Sequence, residues 1–170
     1  ALGLQISAAS GASPLAGDAY QIFHGPTADP DDWIVDFAGP IVYYGQAGWW
    51  VEIEFSGLDP QAKYSFAGTA IRANEYPERK TLFTLAGQRT ATNNSSEGVV
   101  RDGSSAILTA GDNSDEGAVV RWDNITVVDD GSGSGRFTVR AEAAASTITE
   151  AEGKAYPFNG FMLREISGPY

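Results

Sequence analysis

The stretch Gly48-Trp-Trp-Val-Glu-Ile-Glu-Phe-Ser-Gly57 decides the fold. Every odd-numbered residue from Trp49 to Phe55 is apolar, whereas the even-numbered ones are Trp50, Glu52 and Glu54. A period of two is typical of a half-buried β-strand, because successive side chains leave the backbone in opposite directions. The odd positions are therefore expected to face a core and the even positions to face water, with Trp50 among them.

A second alternating segment follows a short turn. Residues Leu58-Asp-Pro-Gln-Ala-Lys63 contain Asp and Pro, which favour turns, and the alternation resumes from Tyr64 to Arg72. Two alternating segments around such a turn predict an antiparallel β-hairpin at the centre of a sheet.

The rest of the chain repeats this pattern of short apolar segments between Gly, Pro and Asp. Further strands are predicted at Leu2–Ser7, Trp33–Phe37, Ile41–Tyr44, Lys80–Ala86, Ser105–Thr109, Ala118–Val128, Arg136–Ala143 and Tyr156–Ile166. A bulge is expected near Asp123-Asn124, a hairpin tip at Asp129–Gly135, a long surface loop at 88–103 and a helical turn within Ala144–Gly153. About nine strands at this spacing predict an all-β, antiparallel β-sandwich, either jelly-roll or immunoglobulin-like.

Length and composition narrow the function. The 170 residues predict a single domain spanning 1–170, and the net charge of −11 argues against nucleic acid and anionic lipid as partners. The chain has no cysteine, so neither a disulfide framework nor thiolate chemistry is predicted. It has no apolar run of membrane-spanning length, so membrane insertion is not predicted. Because the chain begins at Ala1 rather than Met, we expect a mature or excised piece of a larger exported protein, secreted or at the cell surface.

Catalysis finds little support in the sequence. His24 is the only histidine, and no Gly-x-Ser-x-Gly motif is present. Glu52 and Glu54 share a strand face at about 7 Å, a spacing that loosely fits the two carboxyl groups of a glycosidase. A solvated sheet face explains the same pair more simply, so we expect a protein that is not an enzyme.

Acidic clusters raise the alternative of a structural calcium ion. They lie at Asp29/Asp31/Asp32, at Asp112–Glu116 and at Asp129/Asp130. Ca²⁺ takes six to eight oxygen ligands, which loops can supply. The second cluster starts like an EF-hand loop, but its twelfth position falls on Asp123 within an apolar strand. No other cofactor is predicted.

The aromatic residues point to a binding surface. An exposed tryptophan usually marks a contact surface, and Trp50 is expected to be exposed. A sugar presents an apolar C–H face and a rim of hydroxyl groups, which an aromatic ring flanked by polar groups can match. The predicted ligand-binding residues are Trp50, Tyr43 and, from the segment Arg72–Arg79, Arg72, Asn74, Tyr76 and Arg79. Two arginines in this set would suit an acidic or sulfated glycan.

Several segments resemble a recurring all-β accessory module of large exported bacterial proteins. They are Trp33…Asp36-Phe37, Val51–Pro60, Lys63-Tyr64, Arg72, Tyr76-x-x-Arg79-x-Thr81, Gly117-x-Val-Val-Arg-Trp122 and Phe158–Ile166. Together they cover most of residues 33–166 and look like non-catalytic carbohydrate-binding modules of β-sandwich form. The resemblance implies the sandwich fold and a polysaccharide partner near an attached enzyme. A structural or adhesive spacer domain without a small ligand is the alternative.

Overall fold

The computed structural model of the chain describes residues 3–9, 34–36, 50–71, 78–111, 113, 117–145 and 155–167. These residues form eleven β-strands in two antiparallel sheets that do not close into a barrel. The strands are β1 (Gly3–Ala9), β2 (Ile34–Asp36), β3 (Trp50–Leu58), β4 (Lys63–Thr69), β5 (Lys80–Ala86), β6 (Gln88–Asn93), β7 (Val100–Asp102), β8 (Ser105–Thr109), β9 (Val120–Val127), β10 (Gly135–Ala143) and β11 (Gly160–Ser167). The predicted all-β sandwich is confirmed.

The chain changes sheet at nearly every connection. Sheet I has the order β1-β3-β10-β5-β8-β7, and sheet II has the order β2-β11-β4-β9-β6. From β3 to β11 only the β7–β8 hairpin joins two consecutive strands within one sheet. Such alternation is typical of a jelly roll, whereas an immunoglobulin-like sandwich keeps more consecutive strands paired.

This alternation corrects the predicted central hairpin. Both strands exist, and Asp59 caps the turn by accepting from the backbone N–H of Gln61 at 2.8 Å. However, β3 pairs with β1 and β10 whereas β4 pairs with β11 and β9. The reason is that each strand has one strongly apolar face. Placing the strands in opposite sheets buries these two faces against each other.

The core fills the space between the sheets. Phe55 of sheet I meets Phe66 of sheet II edge to face, with ring centroids 5.9 Å apart. Phe83 and Phe158 make a similar contact at 5.0 Å, and Trp122 is fully buried in sheet II. Offset or edge-to-face aromatic pairs add to the stabilisation that apolar burial provides.

Two segments differ from the sequence-based prediction. The stretch 88–103, predicted as a loop, contains β6 and β7, whose mostly polar side chains suit strands at the sheet edges. The residues between β9 and β10 cross from one sheet to the other, so they are not a hairpin tip. The predicted bulge is confirmed: Asn124 has φ 52°, and the β4–β9 register shifts beside it. The predicted Ile41–Tyr44 strand and most of the predicted helical turn lie outside the described residues.

Gly135 begins β10 where the chain arrives from sheet II, and a side chain there has no room. A Cβ atom at this position would lie 2.6 Å from the carbonyl oxygen of Val128 and 2.5 Å from Cγ2 of Val127. Because backbone must move to relieve this clash, Gly135→Ala is expected to lower the free energy of unfolding by about 1–3 kcal/mol.

Urea denaturation of Gly135→Ala measures this loss. Ser134→Ala, one residue earlier, is the control and is expected to stay within about 0.5 kcal/mol of the parent. A Gly135→Ala protein as stable as its parent would show that the close approach to Val128 is wrong.

Candidate functional site

Trp50 lies on the outer face of sheet I. Within the described residues, it is the one predicted site residue that lies at a surface. Along β3, Val51, Ile53 and Phe55 are buried, whereas Trp50, Glu52 and Glu54 are only half-buried on the opposite side. The prediction that odd-numbered residues of this strand face the core and even-numbered ones face outward is therefore confirmed for β3. Trp50 lies at the end of β3, with β1 on one side and β10 on the other.

Strand register sets Trp50 in a row of side chains that crosses the sheet. Directly paired residues of antiparallel strands point to the same face. From β3 to β7 this row contains Trp50, Glu142, Leu82, Ile107 and Val100, and we call it the Trp50 row. Leu82 and Ile107 are half-buried, and Val100 is 63% exposed. The row is thus mainly apolar yet partly open to water.

A polar row runs beside the Trp50 row. It contains Glu52, Arg140, Thr84, Ser105 and Asp102, and we call it the Arg140 row. Neighbouring strands lie about 4.8 Å apart, and residues two apart on a strand are about 7 Å apart. An apolar strip and a strip of hydrogen-bonding groups therefore lie side by side across the same face.

Arg140 connects the two rows. Its guanidinium carbon lies 4.4 Å from the ring centroid of Trp50, within the range of a cation–π contact. Its Nε donates a hydrogen bond to Oε2 of Glu52 at 2.9 Å. The guanidinium thus covers part of the indole and fixes its position, while Glu52 balances the charge.

The second carboxylate of β3 also faces an arginine. Nη1 of Arg136 lies 3.7 Å from Oε1 of Glu54, and its Nη2 lies 3.9 Å from Oδ2 of Asp130. Arg136 is 59% exposed, so these ion pairs contribute little to stability. The pair of glutamates considered for catalysis is therefore arranged as two cross-strand ion pairs.

Arg79 is the other predicted site residue within the described ranges, and it does not lie beside Trp50. Arg79 is only 5% exposed, and its guanidinium donates to the hydroxyl of Tyr156, whose ring centroid lies 5.5 Å away. The prediction that Arg79 lines an exposed rim is therefore wrong: the side chain packs inside the sandwich. Tyr43, Arg72, Asn74 and Tyr76 lie outside the described residues.

The calcium prediction also rests largely on residues outside the described ranges, where the first two acidic clusters lie. In the third cluster, Oδ1 of Asp129 accepts from the backbone N–H groups of Gly131 and Gly133, and Oδ1 of Asp130 accepts from that of Ser132. These carboxylates hold their own loop in shape. No group of three or more His, Asp or Glu side chains suited to a metal ion occurs in the part of the chain that the structure describes.

Sheet II carries a different polar cluster on its outer face, centred on Asp123 at the bulge. The carboxylate of Asp123 accepts hydrogen bonds from the Ser65 hydroxyl, from Nδ2 of Asn94 at 2.8 Å and from Nε of Arg121 at 3.0 Å. Desolvation raises the pKa of Asp123, but these three donors outweigh it and hold the pKa below its ordinary value. Arg121 lies on β9 beside Asp123, whereas Ser65 lies on β4 and Asn94 directly follows β6, so the cluster ties β4, β9 and the end of β6 together.

Acid is therefore expected to weaken the fold through Asp123. Because its pKa is lower in the folded state, the stabilisation is complete above the unfolded value of about 3.9 and is lost as pH falls through the folded value. Asp123→Asn, which turns one acceptor into a donor, is expected to cost about 1–3 kcal/mol at pH 7. It should also flatten the pH dependence below about pH 4.

Urea denaturation between pH 7 and pH 3 tests this effect. Asp102→Asn, an exposed carboxylate on β7, is the control and should leave both quantities nearly unchanged. An Asp123→Asn protein with the parent's acid dependence would contradict a role for this carboxylate.

The sequence pattern does not reveal Arg140, Leu82 or Ile107 as neighbours of Trp50. The alternation from Arg136 to Ala143 placed Arg140 and Glu142 on one strand face, which was the available signal. Strand order was missing, and the β3–β10, β10–β5 and β5–β8 pairings bring these residues together.

Comparison with known proteins adds no relative to this description. No family model, no curated protein and no solved structure matches the chain. Within the described residues, there is no helix with the length and hydropathy that a membrane span requires.

Proposed function

We propose that the chain is a non-catalytic carbohydrate-binding module that contacts a polysaccharide with the outer face of sheet I. The observation that carries this proposal is the half-buried Trp50 on that face, at the end of a row that continues through Leu82 and Ile107. An aromatic ring at a protein surface supplies a large contact area at little cost in conformational entropy. The C–H face of a sugar ring would pack on the indole.

The neighbouring Arg140 row supports the same ligand chemistry. Thr84, Ser105 and Asp102 offer hydroxyl and carboxylate groups, and Arg140 orients the indole by lying over part of its ring. Ligand sites combine apolar contact with a few placed polar groups that fix orientation. A glycan chain lying across the strands would meet both strips along its length.

The arrangement of Glu52 and Glu54 supports binding without cleavage. A glycosidase needs one carboxylic acid to give a proton and a second group to attack or to activate water. Here each carboxylate faces an arginine of β10 instead, Glu52 at 2.9 Å and Glu54 at 3.7 Å. The proposal therefore assigns the protein no enzyme activity of its own.

The wider role follows from the composition and from the resemblance in sequence. With a net charge of −11, the module would not bind nucleic acid, and it would act outside the cell as a secreted or surface-attached part of a larger protein. It would hold an attached catalytic module near a polysaccharide. Such tethering raises the effective concentration of substrate without new contacts at the active site.

Affinity gel electrophoresis against a panel of soluble polysaccharides, with a glycan array in parallel, tests the proposal. Slower migration in at least one polysaccharide gel is the expected result. Unchanged migration in every gel, together with an empty array, would contradict it.

A structural or adhesive spacer is the second candidate, and the contact between Arg140 and Trp50 favours it. If the guanidinium and the surrounding chain cover the indole fully, no sugar can reach it. Acrylamide quenching of the parent and of Trp50→Phe separates the two cases. A binding module should lose a strongly quenched component in the variant, whereas a spacer should show equal, weak quenching in both.

A further inference from the structure

We propose that the Trp50 surface selects uncharged polysaccharides and discriminates against glycans that carry carboxylate or sulfate groups. This inference rests on the proposed function and adds the class of ligand. It departs from the acidic or sulfated glycan that the sequence suggested, because that suggestion depended on Arg72 and Arg79. Arg79 is buried, and Arg72 lies outside the described residues.

Glu142 is the first reason. It lies directly opposite Trp50 on β10, so its carboxylate points from the same face of the sheet. Directly opposed residues have Cβ atoms about 5 Å apart. Glu142 is half-buried, and within the described residues no lysine or arginine forms an ion pair with it. A sugar stacked on the indole would therefore place its substituents next to a negative charge.

Arg140 is the second reason. It is the cation nearest to the indole in the described part of the face, but its Nε already donates to Glu52 at 2.9 Å. An anionic sugar would therefore meet a guanidinium whose charge Glu52 already balances. It would also disturb the contact that holds the Trp50 ring. The positive charge beside the platform is thus already balanced.

The remaining cations described on this face are more distant. Arg136 pairs with Ser56, six positions along β3 from Trp50, which corresponds to about 20 Å. Lys80 lies two strands away and two residues beyond Leu82, at about 12 Å. Both cations are therefore farther from the indole than Glu142, which lies directly opposite Trp50 at about 5 Å.

Paired polysaccharides that share a backbone test this selection. The probes are hydroxyethyl cellulose with carboxymethyl cellulose, and dextran with dextran sulfate, beside a panel of other neutral, uronate-containing and sulfated glycans. Affinity electrophoresis at low salt should show binding to neutral members that is at least about tenfold tighter than to anionic ones. The ratio should shrink as salt is added.

The outcomes separate this inference from the proposed function. Binding to neutral members with discrimination against anionic ones supports both. Equal or tighter binding of the anionic members overturns the inference while the proposed function stands. Binding to no polysaccharide overturns both.

Glu142→Gln tests the residue assigned to the selection. This variant should narrow the ratio of neutral to anionic affinity several-fold. Glu165→Gln, which makes the same charge change on β11 of sheet II, is the control and should keep the parent's ratio. If the ratio of neutral to anionic affinity is the same in Glu142→Gln and Glu165→Gln, the assignment of the selection to Glu142 is overturned.

Discussion

Replacing Trp122 with alanine is expected to lower the free energy of unfolding by about 3–5 kcal/mol, since large-to-small changes in a core leave a cavity. Trp122 is fully buried, and its ring lies 6.3 Å from that of Phe66. Its Nε1 donates to the carbonyl oxygen of Gly103 at 3.1 Å, which links β9 to the β7–β8 turn. A domain with a total stability of about 5–15 kcal/mol would then be close to unfolding.

Urea denaturation followed by far-ultraviolet circular dichroism measures this loss. Trp122→Phe keeps most of the apolar volume and gives up the hydrogen bond, so it should cost clearly less than the alanine variant. If Trp122→Ala lost under about 1 kcal/mol, the described packing of sheet II against sheet I would be contradicted.

Replacing Trp50 with alanine is expected to weaken polysaccharide binding by at least about 30-fold, the scale of a single aromatic hot spot. The free energy of unfolding should fall by only about 1 kcal/mol, because the indole is half-buried and its main described contact is with the guanidinium of Arg140. The effects of Trp50 and Trp122 should thus separate: one governs binding and the other governs folding.

Titration by isothermal calorimetry with the polysaccharide retained in affinity gels gives the binding constants. Trp50→Phe should recover part of the affinity, since a smaller ring remains. Met162→Ala, half-buried on β11 of sheet II, is the control for a surface apolar side chain and should bind like the parent. Equal affinity of Trp50→Ala and Met162→Ala would place the ligand elsewhere on the molecule.

Local alternation allowed several strands to be predicted from the sequence with near-correct bounds. The segments Lys80–Ala86 and Ser105–Thr109 were predicted residue for residue, because one apolar face and a turn signal at each end define them. The strands Gln88–Asn93 and Val100–Asp102 were missed. Most of their side chains are polar, and hydrogen bonds to neighbouring strands, which a single segment does not reveal, hold them in place.

Strand pairing could not be predicted from local sequence patterns. Lys63 follows Leu58 after a short turn, which suggested a hairpin, yet the two strands lie in different sheets. A turn fixes where the chain reverses but not whether the strands on either side bond to each other or pack face to face. The site shares this limit: Trp50 was predicted from parity, whereas Arg140 and Glu142 become its neighbours only through sheet order.

Arg79 shows a further limit of reasoning from residue type. An arginine in a polar, proline-containing loop was expected to be exposed, but its guanidinium stacks beside Tyr156 and bonds to the hydroxyl of that tyrosine. Arginine can be buried when hydrogen-bond acceptors and aromatic faces satisfy its guanidinium. The tyrosine that does so lies far away in sequence.

Nuclear magnetic resonance of the indole N–H groups during a polysaccharide titration tests the central claim most directly. The chain has four tryptophans, and the Trp50 signal can be assigned by its absence in Trp50→Phe. If the outer face of sheet I is the binding surface, the Trp50 signal should shift in proportion to saturation while the buried Trp122 signal stays in place. A Trp50 signal that does not move while binding saturates would contradict the account.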